Sequence, residues 1–170
     1  GFNQLITGGS LTGPLGGGTL GIQQNSTGIF TIASQIVDNG GSATGFTKAG
    51  SGRLVLSNTA NTYTGPTVIS QGMLSVDSIA NGGVASSIGA SFADPSNLVI
   101  EGGTLDYTGA GTTTDRGFTI VRGGPSASTI NVANGAANLT FTGRVTSSDD
   151  ADFTKTGAGT LTLANATNDY

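Results

Sequence analysis

Two stretches of nineteen residues, 45–63 and 152–170, align without a gap as GFTKAGSGRLVLSNTANTY and DFTKTGAGTLTLANATNDY. Ten positions are identical: Phe46/Phe153, Thr47/Thr154, Lys48/Lys155, Gly50/Gly157, Gly52/Gly159, Leu54/Leu161, Leu56/Leu163, Asn58/Asn165, Asn61/Asn168 and Tyr63/Tyr170. Self-similarity of this kind signals a stacked architecture, in which a short unit buries its apolar side against its neighbours rather than inside a closed core. The second copy stops where the first runs on into Thr64-Gly65-Pro66, and no cap is evident, so the chain reads as an internal segment of something longer.

The unit is built of strands. Glycine is abundant, with 30 residues, and charged residues make up only 9% of the chain. No ten-residue stretch keeps apolar residues at i, i+3, i+4 and i+7 without an interrupting Gly or Pro, which excludes more than a turn of helix. Short apolar clusters alternate with period two instead, and end at Gly, Asn, Asp or Ser. A smaller refrain runs through them: Gly, any residue, Leu, any residue, a bulky apolar residue. It occurs at Gly18–Ile22, Gly52–Leu56, Gly72–Val76, Gly103–Tyr107 and Gly159–Leu163.

The Gly52 and Gly72 copies begin 20 residues apart, about one coil of a parallel β-helix. Stacking like positions then places Leu54 under Leu74 and Leu56 under Val76 as an internal apolar ladder. The expected fold is all-β, a right-handed parallel β-helix (β-solenoid) of about seven to eight coils at roughly 20 to 25 residues each. Gly and Asn, which accept positive φ, are expected at the corners, among them Asn58, Asn61, Asn165 and Asn168. One β-solenoid unit covers 1–170, with repeat units at 46–76 and 153–170. An irregular excursion at 77–97 is read as a longer coil with a surface bulge, without exposed aromatics.

The run Phe46-Thr47-Lys48-Ala49-Gly50-Ser51-Gly52-Arg53-Leu54-Val55-Leu56 continues through Asn61-Thr62-Tyr63-Thr64-Gly65 to Thr67–Val76. It resembles the autotransporter-associated β-strand repeat, also called the passenger-associated transport repeat. Residues 46–76 match a whole unit and 153–170 the first half of another. Pro66 stands where Gly is usual, and Asp169 replaces the Thr of Asn-Thr-Tyr. The resemblance implies a bacterial autotransporter passenger of the adhesin family, exported through the periplasm to the cell surface. It further implies a C-terminal outer-membrane barrel outside this segment, a stem that assists passenger folding and export, and a host surface or glycan receptor as partner. The repeat-motif residues expected to be structural are Phe46, Lys48, Gly50, Gly52, Leu54, Leu56, Asn61, Tyr63, Gly72 and Leu74. In the second copy they are Phe153, Lys155, Gly157, Gly159, Leu161, Leu163, Asn168 and Tyr170. The absence of cysteine fits a chain that must cross the outer membrane unfolded. Gly1–Ile6 has neither the basic nor the apolar stretch of a signal peptide, so such a signal is expected outside the segment.

With no His and no Cys, the usual general base, thiol nucleophile and transition-metal sites are missing. Carboxylate chemistry leaves Glu101 with Asp106, Asp115 with Arg116, and the cluster Asp149, Asp150 and Asp152, all read as solvated turn acids in the absence of an aromatic sugar platform. No enzyme activity, cofactor or metal is therefore expected. The acidic cluster lacks calcium-loop spacing, and Gly13–Thr19 lacks the lysine and helix of a phosphate cradle. A formal charge of −4 argues against nucleic acid as a partner. Lys48 and Lys155 are read as outward, solubilising residues, and Tyr63 and Tyr170 as rings packed on the adjacent coil. The expected function is a non-catalytic stem and adhesive surface whose partners are neighbouring coils of the same or an identical chain. Two alternatives remain: a self-assembling extracellular fibre or sheath, and a carbohydrate-active β-helix.

Overall fold

The structure, a computed structural model, describes residues 1–123, 126–148 and 151–170. It is a parallel β-solenoid with three faces. Strands β1 (Gln4–Ile6), β2 (Ser10–Leu11) and β3 (Gly18–Gln23) form the first coil, and β4 (Phe30–Ile32), β5 (Gln35–Ile36) and β6 (Thr44–Ala49) the second. The third coil has β7 (Arg53–Leu56) and β8 (Thr67–Ile69), and the fourth has β9 (Met73–Val76) and β10 (Leu98–Glu101). The next two are β11 (Thr104–Tyr107), β12 (Thr112–Thr114) and β13 (Phe118–Val121), then β14 (Ser128–Val132), β15 (Asn138–Phe141) and β16 (Val145–Ser147). A last pair, β17 (Phe153–Thr156) and β18 (Thr160–Leu163), opens a further coil.

The first face is the sheet β1-β4-β7-β9-β11-β14-β17, and the third is β3-β6-β8-β10-β13-β16. The second face is discontinuous, with β2-β5 at one end and β12-β15-β18 at the other. Between them lie Asn61 and Ser86, joined by an isolated bridge. Every strand pair in these sheets is parallel, because each strand meets its counterpart one full turn later.

Six intervals on the first face make about six turns, fewer than the seven to eight expected at roughly 20 to 25 residues per coil. The Leu54–Leu74 step of 20 residues is the shortest on that face, whereas Phe30–Leu54 takes 24, Ile130–Lys155 takes 25 and Leu74–Leu105 takes 31. Residues 77–97 lengthen that last step, occupying the second-face position between β9 and β10. They end in a single 3₁₀ turn, Pro95–Asn97, which follows the side-chain cap Asp94.

The core is a set of apolar ladders inside the coils. Leu54 pairs with Leu74, and Leu56 with Val76, as the refrain requires. The first ladder continues through Leu105 to Ile130 and the second through Tyr107 to Val132. Leu54, Leu74, Leu105 and Ile130 are wholly buried. Stacking one coil on another covers each inward side chain twice, so burial is achieved with two- to six-residue strands.

Candidate functional site

The two copies of the repeat do not occupy equivalent faces. In the first, Phe46–Ala49 lies in β6 on the third face and Leu54–Leu56 in β7 on the first. In the second, β17 lies on the first face and β18 on the second. The later copy is thus four coils and one face further on. The repeat encodes strand, corner and strand, and any of the three faces accepts it because all are parallel ladders over one apolar interior.

Shared side chains do the same work at both locations. Asn61 Oδ1 accepts the Ile36 N–H of the preceding coil at 2.8 Å, and Asn168 Oδ1 accepts the Val145 N–H at 2.8 Å. Asn58 Nδ2 donates to Ala33 O at 3.1 Å, and Asn165 Nδ2 donates to Thr142 O at 2.9 Å. Each amide therefore carries the intercoil ladder through a corner where the backbone has turned away from it. Gly50 and Gly157 take positive φ, 77° and 80°, at the strand-to-strand corner. A side chain at Gly52 would meet Ser26 O at 2.5 Å, and one at Gly159 would meet Ala137 O at 2.9 Å. At Gly72 it would meet Gly52 O at 2.7 Å, one coil away. The aromatic pair also recurs: ring centroids are 6.1 Å apart for Phe46 and Tyr63, and 6.3 Å for Phe153 and Tyr170. Tyr63 is fully buried, with its hydroxyl 2.7 Å from Thr67 Oγ1, whereas Tyr170 is 61% exposed. Phe153, Leu161 and Leu163 are partly buried against the core, since β17 and β18 each have one neighbouring strand in the described stack.

The lysines depart from expectation. Lys48 points inward, standing between Ile22 and Ile69 in a ladder that continues to Ile100 and Ile120. It is wholly buried. Its ammonium donates to Ala49 O at 2.9 Å, Gly50 O at 2.6 Å and Gln71 O at 3.0 Å, so it caps its own corner and ties it to the next coil. Lys155, half-buried, likewise donates to Gly157 O at 2.7 Å and to Gly159 O. The physical reason is local. Each Gly-x-Gly corner turns carbonyls toward a lysine two residues before its first Gly, and the ammonium donates to that Gly's carbonyl in both copies. Period-two alternation from Phe46 was the available signal. Burial pushes the Lys48 ammonium down to about 8.

The acidic candidates are not brought together. Glu101 ends β10 on the third face and Asp106 lies in β11 on the first, with the Gly102-Gly103 corner between them. Asp106 is 3% exposed and accepts from Arg53 Nη2 at 3.2 Å, Ser75 Oγ at 2.6 Å and Asn131 Nδ2 at 2.6 Å. Asp115 Oδ1 accepts the Gly82 N–H at 2.7 Å. Arg116 is buried and does not pair with it in an ion bridge. The guanidinium instead donates to Ala80 O (2.8 Å), Ser91 Oγ (2.8 Å) and Gly89 O (3.1 Å), all in the excursion. Asp152 is exposed, and Asp149 and Asp150 lie outside the described residues. An open groove of about 540 Å³, lined by residues such as Gly72, Met73, Gly102, Thr104 and Thr129, contains no titratable side chain. Among the described residues no three acidic side chains group as metal ligands, and no helix is long and apolar enough to cross a membrane.

The excursion differs from expectation in one residue. Phe92 is 77% exposed and Val84 53% exposed, so the segment does carry an outward aromatic. Nothing in the period-two pattern distinguishes this phenylalanine from the buried ones.

Lys, Asn and Gly residues recur at the corners and make the fold a repeat-built, three-faced parallel β-solenoid. The family model of the passenger-associated-transport-repeat matches residues 46–76 and 153–170, so the chain carries this repeat. It is 59% identical over 168 residues, 99% of its own length, to part of the adhesin BmaC autotransporter of Brucella suis biovar 1 (strain 1330). The chain spans about 5% of the length of that relative. No solved structure matches the chain significantly.

Proposed function

We propose that the chain is a non-catalytic stem and spacer, with an adhesive surface, in a passenger exported to the bacterial cell surface. The carrying observation is that the polar side chains shared by both repeat copies direct their hydrogen bonds to neighbouring coils or their own corners. They are spent on stacking. The acids considered for chemistry support the same reading, because Asp106 is saturated by three donors and Asp115 holds a loop. The adhesin relative supports the adhesive part and the location outside the outer membrane. The barrel that would export such a passenger belongs to the parent protein.

Coils that template one another in order give this stem a part in export: each coil, once outside, offers a complete strand edge to the next, which biases the chain outward. The test is the parent protein with residues 1–170 deleted in frame, followed by surface proteolysis and by adhesion of the bacteria to cultured epithelial cells. Reduced surface passenger and reduced adhesion are expected. Unchanged amounts of both would overturn the proposal, and glycan cleavage by the purified chain, lost in Asp106→Asn, would replace it with an enzyme.

A further inference from the structure

We infer that residues 77–97 form a pre-organised recognition loop whose exposed Phe92 docks into an apolar, basic-rimmed pocket on a partner protein. The inference rests on the adhesive-surface reading and locates it.

The backbone around Phe92 is pinned at three consecutive residues. Ser91 O accepts the Gly83 N–H at 3.0 Å, Phe92 O accepts Asn97 Nδ2 at 3.1 Å, and Ala93 O accepts the Gly117 N–H at 2.8 Å. The loop is clasped from inside as well. Arg116, itself 1% exposed, directs its whole guanidinium at Ala80, Gly89 and Ser91. On the other flank Ala90 N donates to Tyr63 O at 2.8 Å and Asn61 Nδ2 to Ser87 O at 2.9 Å. Burying a guanidinium among neutral acceptors is unfavourable unless its nitrogens are hydrogen-bonded; here each of the three nitrogens donates once, and the set specifies the shape of a loop.

Phe92 is nevertheless left in solvent. The other mid-chain rings Phe46, Tyr63, Tyr107, Phe118 and Phe141 are at most 2% exposed. Val84 follows Gly83, the residue tied to Ser91, so the two exposed apolar side chains belong to one closed loop. A large ring held on a fixed backbone loses little entropy on docking, which is the property of an interface anchor.

Charge selects the occupant. The excursion's own charged residues are Asp77 and Asp94, both exposed, and exposed Asp115 adjoins it through Gly82. Asp94, close to Phe92 in the chain, and Asp115, bound to Gly82 beside Gly83, put carboxylates next to the apolar tip, which disfavours an anionic lipid surface and a second copy of this acidic loop. They favour a protein pocket with Lys or Arg at its rim.

The experiment uses the whole chain, immobilised, against a phage-displayed library of random twelve-residue peptides, with Phe92→Ser, Phe92→Leu and Val84→Ser variants in parallel. Enriched peptides should combine apolar residues with Lys or Arg. Their affinity should fall about tenfold or more in Phe92→Ser, less in Phe92→Leu, with unchanged thermal midpoints because the ring is solvent-exposed. No enrichment, or peptides that bind Phe92→Ser equally well, would overturn the inference. So would Phe92-dependent self-association in sedimentation, or Phe92-dependent pelleting with phosphatidylcholine vesicles. Beads coated with the chain separate the two levels. Adhesion to epithelial cells that survives Phe92→Ser removes the loop and leaves the adhesive reading, while no adhesion by the unaltered chain removes the adhesive reading itself.

Discussion

A lysine in an isoleucine ladder is an unusual element of a solenoid core, and Lys48 is tolerated because three carbonyls receive its protons. Lys48→Met leaves the Gly50 and Gln71 carbonyls unpaired, while Ala49 O keeps the Gln24 N–H, and is expected to destabilise the chain by about 1–3 kcal/mol, measured by urea unfolding near neutral pH. The same residue sets a pH dependence. Burial lowers its folded value to about 8 from an ordinary 10.5, so between these values the folded chain binds fewer protons than the unfolded one. Stability from this group is complete above about 10.5 and is lost as pH falls through about 8. Tyr63 and Tyr107 act in the opposite sense. Burial raises both phenols, so their contribution is present below the ordinary tyrosine value near 10 and is lost as pH rises through their folded values. The thermal midpoint should therefore climb between about pH 8 and 10 and decline above about pH 10. In Lys48→Met the climb should vanish while the decline remains, and an identical climb in that variant would refute the assignment.

Corners and the excursion are the elements in which side chains replace backbone pairing. Removing the Asn61 amide orphans the buried Ile36 N–H and releases Ser87 O, which should cost about 1–3 kcal/mol. Asn168, at a more exposed corner of the last described coil, makes the same bond to Val145, and its alanine variant should cost less by the same unfolding assay. Arg116 governs a different element. Arg116→Met should raise hydrogen exchange across residues 77–97 while amides of β11 and β14 keep their protection, because the guanidinium ties the excursion and no strand of the first face. Loss of protection throughout the stack would instead make Arg116 a general core residue.

At the scale of the molecule, each coil touches its two neighbours and stability is a sum along the stack. Leu54 sits between Phe30 and Leu74 and is wholly buried. Leu54→Asp places an unpaired charge there and is expected to unfold coils around β4, β7 and β9 first. Limited proteolysis should then cut between residues 30 and 76 while a fragment containing β11 to β18 persists. A variant as resistant as the parent would contradict the inward assignment, and simultaneous loss of all coils would contradict the one-dimensional picture.

Local periodicity determined much of this protein without help from the fold. The Leu54–Leu74 and Leu56–Val76 ladders and the strand class follow from spacing, because a solenoid converts sequence period directly into vertical contact; the corner asparagines follow from residue type, and the passenger repeat from resemblance to a family motif. The number of coils was less legible, since the 20-residue step proved shorter than the others and 77–97 lengthened one turn to 31. Three features required tertiary structure. Lys48 obeys the inward parity of Phe46, yet its side chain is acceptable inside only because Gln71, a full turn later, completes the carbonyl set. Glu101 and Asp106, five residues apart, are divided between faces by a corner. Arg116 and the exposed Phe92 are linked through Ser91, a contact between segments 25 residues apart that no local pattern records. Sequence determines what repeats, and the stack decides which partner each side chain meets, because those partners arrive one coil later.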